Sequence, residues 1–382
     1  MPPEYNQIFQ PFYFENGITM RNRMVMAPMT TWSSSADETI SEQELAWYRV
    51  RAKGVGMVIT GCTHVQPSGI GFTHEFAAYD DRFIPSLRSL AQAAKSGGAP
   101  AVLQIFHAGN KAVPSLVPNG ELVSASNLVA PKGPFNDGKL ASRALTHKEI
   151  AGVIHDFGEA TRRAIEAGFD GVELHGAHGF LLQNFLSPLY NQRTDEWGGS
   201  LENRMRFPLE VVAEVRKVIT AHAQRPFLLG YRLSPEEPGE GGLRIKEALT
   251  FSNKLIETGE IDYLHVSLYN ILTGTALDDP DGKTTSQYFI ETVAGRIPLI
   301  EAGGVLTPED ASKAVASGLP LVAIGRGLAI NPNWVELAQA GYTADINVAL
   351  DLSIGADALT IPGNLWNNIK TTPGWFPVNM NL

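Results

Sequence analysis

The chain has 382 residues, 44% of them hydrophobic and 18% charged, with a formal net charge of −10. That acidic balance argues against a nucleic-acid-binding surface and against attachment to anionic lipid, because both select for Lys and Arg. The single cysteine, Cys62, excludes an internal disulfide, an iron–sulfur cluster and a cysteine-rich zinc site. The opening stretch MPPEYNQIFQPF lacks a basic start followed by an apolar run, and no apolar run is long enough to span a membrane. A cytoplasmic protein with no membrane partner is the default expectation.

The first β-rich apolar run is Met24–Met29, leading into Pro28-Met29-Thr30-Thr31-Trp32. Ser41-Glu42-Gln43-Glu44 is a capping box that opens a helix through Lys53. Strands follow at Gly56–Thr60 and Ala101–Phe106. Asn110 to Ser142 is rich in Pro, Gly, Ser and Asn and reads as a long loop over the active face. Thr146-His147-Lys148-Glu149 opens a long helix that stops at Gly168, the usual C′ glycine. Further strands are expected at Gly171–His175, Phe227–Leu233, Tyr263–Leu268, Pro298–Ala302 and Leu321–Ile324. Thr307-Pro308-Glu309-Asp310 supplies an N-cap, a proline at N1 and acids in the first turn, and Asn331-Pro332 is expected to start the last barrel helix in the same way.

The strands are continuous apolar runs rather than alternating ones, as for strands covered on both faces. Eight of them alternating with helices predict an α/β fold, a (β/α)8 TIM barrel. The expectation is one domain over 1–382, with the barrel from about 20 to 340. The tail from Asp345 to Leu382 carries Trp366, Trp375 and the prolines 362, 373 and 377. It is expected to pack on the barrel, act as a lid or form a subunit contact, which makes a homo-oligomer plausible. There is no internal repeat or low-complexity segment.

In such a barrel all strand C-termini open onto one face, where the chemistry sits. Glu301-Ala302-Gly303-Gly304 ends strand 7 and Gly325-Arg326-Gly327 ends strand 8, so Gly303, Gly304, Gly325 and Arg326 predict a phosphate site. His175 and His178 aim two imidazoles at one point, suited to a carbonyl oxygen or an anion. A metal is not expected there, because no third ligand accompanies them. Gln104, Arg232 and Thr30 are polar groups at other strand ends. Gln104 can donate and accept at a heterocycle edge, and Arg232 at a barrel mouth needs an anionic partner. Each alone reads first as a satisfied core polar group; their joint placement at strand ends favours a site. Trp32 either stacks on a substrate or packs under the 110–142 loop.

Several stretches, in order, carry a resemblance. They are NRMVMAPMTT (Asn22–Thr31), LQIFHAGNK (Leu103–Lys111), AGFDGVELHGAHGFLLQNFLSP (Ala167–Pro188), NQRTDEWGGSLENRMRF (Asn191–Phe207), YRLSPEE (Tyr231–Glu237), EAGG (Glu301–Gly304) and IGRGL (Ile324–Leu328). The chain thereby resembles the old yellow enzyme family of FMN-dependent oxidoreductases. The resemblance implies non-covalent FMN, NADH or NADPH as reductant, and a small-molecule electron acceptor. It places Pro28, Met29, Thr30 and Cys62 along the flavin, Gln104 at its pyrimidine edge and Arg232 near N1. It assigns the phosphate to Gly303, Gly304, Gly325 and Arg326, and the acceptor's oxygen to His175 and His178. A tyrosine two residues after the second histidine donates a proton in the family; here that position is Phe180. Tyr269 or water is an alternative donor, and a quinone or nitro acceptor would need no carbon protonation.

Two other function classes compete with this one. A sugar-phosphate isomerase or lyase needs a base or a Schiff-base lysine at a strand end, and no candidate strand ends in lysine. A flavin-binding protein without turnover agrees with Phe180 but not with the intact histidine pair. With 382 residues and one cysteine, the iron–sulfur segment and nucleotide-binding domain of larger relatives are not expected.

Overall fold

The computed structural model describes residues 2–379. Eight parallel strands form the barrel: β1 (Met24–Met26), β2 (Met57–Ile59), β3 (Ala101–Phe106), β4 (Gly171–Gly176), β5 (Leu228–Leu233), β6 (Tyr263–Ser267), β7 (Leu299–Ala302) and β8 (Leu321–Ile324). Each pairs with its sequence neighbours, β8 pairs with β1, and the β2–β3 pairing completes the ring. All eight expected strands are present, trimmed by one to three residues at some ends. The main outer helices are α1 (Glu42–Arg51), α2 (Ile84–Lys95), α3 (His147–Ala167), α4 (Leu201–His222), α5 (Ile245–Glu257), α6 (Thr285–Val293), α7 (Pro308–Ala316) and α8 (Trp334–Ala340).

Local signals start these helices as anticipated. Ser41, Thr146 and Thr307 each form both hydrogen bonds of a capping box, and Gly168 closes α3 in the left-handed conformation. Asn331 is an exception. Helix α8 begins at Trp334, with Asn333 in the cap position. The Asn331 side chain instead exchanges two 2.8 Å hydrogen bonds with the Asn347 backbone. A capping group occupied by a distant segment cannot cap.

The barrel interior has two levels. The lower one is apolar: Val25, Met57, Val102, Leu228, Ile300 and Leu321 pack with Phe14 and Met20. Met20 belongs to an antiparallel hairpin (Phe12–Tyr13 with Thr19–Met20), and Phe14 follows its first strand. The upper level is polar, and strand register builds it. Gln104 lies beside Glu173, Glu173 beside Gly230, and Gly230 beside Tyr263. Two residues further along the strands, Arg232 sits between His175 and His265. Gly230 has to be a glycine, since a Cβ there would lie 2.0 Å from the Tyr263 ring.

The 110–142 loop and the tail are both folded onto the barrel. The tail holds helix α9 (Gly363–Thr371), with Leu365, Trp366 and Ile369 buried. Arg51, the last residue of α1, is 1% exposed and lies 3.5 Å above the Trp47 ring. Its guanidinium donates to the carbonyls of Trp47, Leu328, Ala329, Leu359 and Thr360. One cation thus ties α1 to the segment after β8 and to the tail. We expect Arg51→Met, which strands four distant carbonyls, to cost about 3 kcal/mol. Urea denaturation with limited proteolysis checks this: new cleavage should appear between 343 and 362, and an unchanged midpoint and digest would refute the clamp.

Candidate active site

A cleft of about 490 Å³ opens at the C-terminal mouth of the barrel. Its size is that of a cofactor or ligand site. Pro28, Met29 and Thr30 line it from the segment after β1, Cys62 from after β2 and Gln104 from β3. His175, His178 and Phe180 enter from β4 and the turn after it, and Arg232 from β5. Residues 131–136 of the long loop and Trp375 of the tail complete the rim. Trp32 packs under the long loop, against Phe135 and also Phe72 and Trp375 at ring separations of 4.9, 5.2 and 5.7 Å, and it lines the cleft.

The floor is a buried charge network. Glu173 accepts from Gln104 Nε2 at 2.8 Å, from Tyr263 Oη at 2.9 Å and pairs with His265 Nδ1 at 2.9 Å. Burial alone would raise the Glu173 pKa; the charge and hydrogen bond of His265 and the charge of Arg232 outweigh it and hold the carboxylate below its ordinary value. Burial lowers Arg232 from its usual value, opposed by Glu173. Its Nη2 reaches Ser267 Oγ at 3.4 Å, while its Nε is buried without a partner. A buried guanidinium N–H facing a cleft calls for a ligand acceptor. Together with Gln104 it offers donors and an acceptor to the polar edge of a flat heterocycle, so the floor fits FMN.

The two histidines lie at right angles, ring centres 5.0 Å apart. His175 Nδ1 accepts from the Ala177 amide at 3.3 Å, which leaves the proton on Nε2. His178 Nε2 meets Ser267 Oγ at 2.7 Å. The His178 backbone is left-handed, with φ 58°. It is held from both sides, its amide donating to Ser234 Oγ at 3.0 Å and its carbonyl accepting from Lys111 Nζ at 2.6 Å. A non-glycine residue fixed in this region is strain of the kind found at functional sites. Burial, then His178 and Arg232, push the His175 pKa well below its ordinary value. Enclosure by the cleft walls, then Arg232 and Lys111, lower His178 too, although the residue itself stays open to solvent at the mouth. Phe180 is 6% exposed, with Phe106 and His175 each 5.0 Å away edge-on.

Gly303 and Gly304, with φ 153° and 73°, follow β7, and Gly325 and Arg326 follow the adjacent β8. They form a corner beyond the cleft walls. It abuts the segment after β1, since a Cβ on Gly325 would lie 3.6 Å from Ala27 and 3.7 Å from Met29. Arg326 Nη1 donates to the Trp375 carbonyl at 3.0 Å. Tyr269 is a correction. It is 95% exposed and lines no part of the cleft. Inward alternation along β6 ends at Ser267, and the chain then turns outward around Asn270, whose side chain holds the Leu272 and Thr273 amides. Among the described residues, the metal-sized group of His, Asp and Glu side chains is His147, Asp195 and Glu196, which does not include the cleft histidines.

Sequence reasoning missed Glu173, Tyr263, His265, Ser267 and Lys111. The first four carried a signal: each lies two residues from another polar group on one face of an otherwise apolar strand. Lys111 sits in a loop and carried none.

The sequence profile of the NADH:flavin oxidoreductase / NADH oxidase family matches residues 7–345. A probable NADH-dependent flavin oxidoreductase of Bacillus subtilis is 44% identical over 377 residues, covering 99% of both chains. An NADH:fumarate oxidoreductase of Klebsiella pneumoniae is 38% identical across 94% of this chain, which spans only 38% of that longer protein. Among solved structures, morphinone reductase in complex with tetrahydroNAD superposes with a TM-score of 0.74 at 28% identity, covering 89% of this chain and 92% of that one.

Both cleft imidazoles should be neutral at pH 6.5, the ordinary imidazole midpoint. Because the fold lowers both pKa values, their contribution to stability is complete above that pH and is lost as pH falls toward the folded values. Nitrogen-15 NMR with the signals of His175 and His178 assigned should show both rings neutral, with His175 as the Nε2–H tautomer. An imidazolium signal from either of these two at pH 6.5 would refute this electrostatic account.

Proposed function

The chain belongs to the NADH:flavin oxidoreductase / NADH oxidase family, of the old yellow enzyme type, and we propose that it reduces electron-poor small molecules, quinones and nitro compounds ahead of activated alkenes. It is an NAD(P)H-dependent oxidoreductase with FMN as cofactor. The observation that carries the acceptor preference is Phe180, a ring with no ionisable proton packed against the histidine pair.

FMN, when bound, supplies the two-electron exchange between the nicotinamide and the acceptor. Pro28, Met29, Thr30 and Cys62 form the wall along it, Gln104 and Arg232 meet its polar edge, and Gly303, Gly304, Gly325 and Arg326 hold its phosphate. The buried charge of Arg232 favours the more electron-rich state of whatever lies on it. Neutral His175 and His178 donate hydrogen bonds to the acceptor's oxygen, and charge that develops there strengthens those bonds. Trp32, Phe72 and Phe135 give a flat, electron-poor acceptor an aromatic wall to pack on.

An alkene that has accepted hydride still needs a proton on carbon. Phe180 cannot donate one, and a positioned general acid is worth about 10²–10⁴-fold. Quinones and nitro groups take their protons on oxygen, where exchange is fast. The Klebsiella relative's name includes fumarate, which keeps an activated alkene among the acceptors.

Phe180→Tyr should raise reoxidation of the reduced holoenzyme by a cyclic enone by about 10²-fold and leave reoxidation by a quinone unchanged. Anaerobic stopped-flow absorbance reads both rates. Equal enone rates in the two proteins would overturn the reading of Phe180.

A further inference from the structure

A chain of ionisable side chains runs from the cleft wall to the protein surface. Cys62 lines the cleft and belongs to the same packed cluster as Phe180. Its Sγ lies 3.6 Å from Thr30 Oγ1 and 3.7 Å from Glu75 Oε2. The other oxygen of Glu75 meets His64 Nδ1 at 2.6 Å, and His64 Nε2 meets Glu38 Oε1 at 2.8 Å. Cys62, His64 and Glu75 are buried, whereas the Glu38 side chain is 24% exposed. Glu38 also accepts from Tyr79, which in turn accepts from the exposed Arg82. Backbone pairing fixes the three segments that supply these groups: the Ala78 amide donates to the His64 carbonyl and the Ala77 amide to the Glu38 carbonyl.

Holding FMN or binding an acceptor does not require this arrangement. A buried imidazole between two carboxylates carries a desolvation cost that apolar side chains of the same volume would avoid. What it does provide is an unbroken series in which every donor faces the next acceptor, ending at a thiol on the cleft.

We propose that Cys62, Glu75, His64 and Glu38 are a proton relay that carries a solvent proton into the cleft, delivering on the Thr30–Cys62 wall what Phe180 does not supply. This rests on the acceptor-reducing function above. Reduction of an acceptor A follows A + NAD(P)H + H⁺ → AH₂ + NAD(P)⁺, so each turnover consumes one proton. The Cys62 S–H bond breaks as the hydride-bearing acceptor takes that proton. Glu75 Oε2 reprotonates the thiolate, His64 Nδ1 reprotonates Glu75, Glu38 returns a proton to His64 Nε2, and water restores Glu38. No relay member changes oxidation state.

The acidities of the three buried members suit this sequence. At Glu38, burial is outweighed by hydrogen bonds from His64 and Tyr79, which hold the carboxyl below its ordinary value, so it passes protons on rather than storing them. Burial and the Glu75 charge keep the Cys62 thiol un-ionised. Burial pushes Glu75 up to about 7, against its hydrogen bond from His64. Burial disfavours charge on His64, but hydrogen bonds to Glu38 and Glu75 outweigh it and raise its pKa. His107, the further ionisable group beside His64, is kept neutral by burial and by the His64 charge, its pKa pushed down to about 3.

The chain has one thiol, so its S–H stretch is a single infrared marker. When the holoenzyme is mixed into D₂O, conversion of S–H to S–D should be about 10²-fold slower in Glu75→Gln than in the wild type, the lower end of what a positioned proton carrier contributes. Reoxidation by a cyclic enone should slow alongside it, with a larger solvent deuterium isotope effect, while reoxidation by a quinone, whose protons go to oxygen, stays unchanged. Glu38→Gln, at the part-exposed end, should slow the exchange too and guards against misfolding of the buried variant. Exchange as fast in both variants as in the wild type overturns the relay. If no acceptor oxidises the reduced wild-type protein, the proposed function fails, while the thiol exchange still decides the relay.

Discussion

A carboxylate with no access to water governs the upper half of this barrel. Glu173 accepts three hydrogen bonds from two other strands, through Gln104 on β3 and Tyr263 and His265 on β6, and its charge stabilises that of Arg232. Neither charge would be tolerable alone at this depth, since breaking a buried pair leaves an uncompensated ion. The pair lets a guanidinium with a free N–H sit at the base of a cleft. It also draws the boundary between the apolar lower interior and the polar mouth. Gly230 belongs to the same constraint, because the Tyr263 ring takes the place of its side chain.

From this floor the electrostatics of the cleft follow. Arg232 and Lys111 put two cations beside two imidazoles, and the imidazoles respond by staying neutral. Neutral imidazoles donate hydrogen bonds without adding charge, so the fixed positive potential of the site stays with the cations. Such a site favours bound groups that gain electrons, which is the property a reductase needs. The strained His178 backbone is what brings its ring to Ser267, and through that hydroxyl to Arg232.

The barrel was legible because each strand is a continuous apolar run and each connecting helix starts at a local cap. Those signals are short-range and survive in a single sequence. The cleft residues were legible for a related reason: they lie at strand ends, and a closed parallel barrel gathers such ends on one face. Tyr269 misled because it lies just past a strand end, where Asn270 turns the chain outward. Asn331 misled because a segment sixteen residues away uses its side chain. The Glu173 layer was overlooked because polar groups inside an apolar run read as tolerated exceptions until register lines them up across four strands. Local pattern could not reveal the Cys62–Glu75–His64–Glu38 series, which joins three segments, nor the packing of Trp375 on Trp32 and Phe135.

That last contact bears on how the protein is made. Chains emerge from the ribosome N-terminus first and begin to fold as they emerge. The last barrel strand ends at Ile324, yet Trp375 lines the cleft and its carbonyl binds Arg326. A nascent chain can therefore close its barrel while the rim of the site is still unsynthesised. The cleft reaches its final form only with the tail, and a truncated translation product would present an open, incomplete pocket on a finished scaffold.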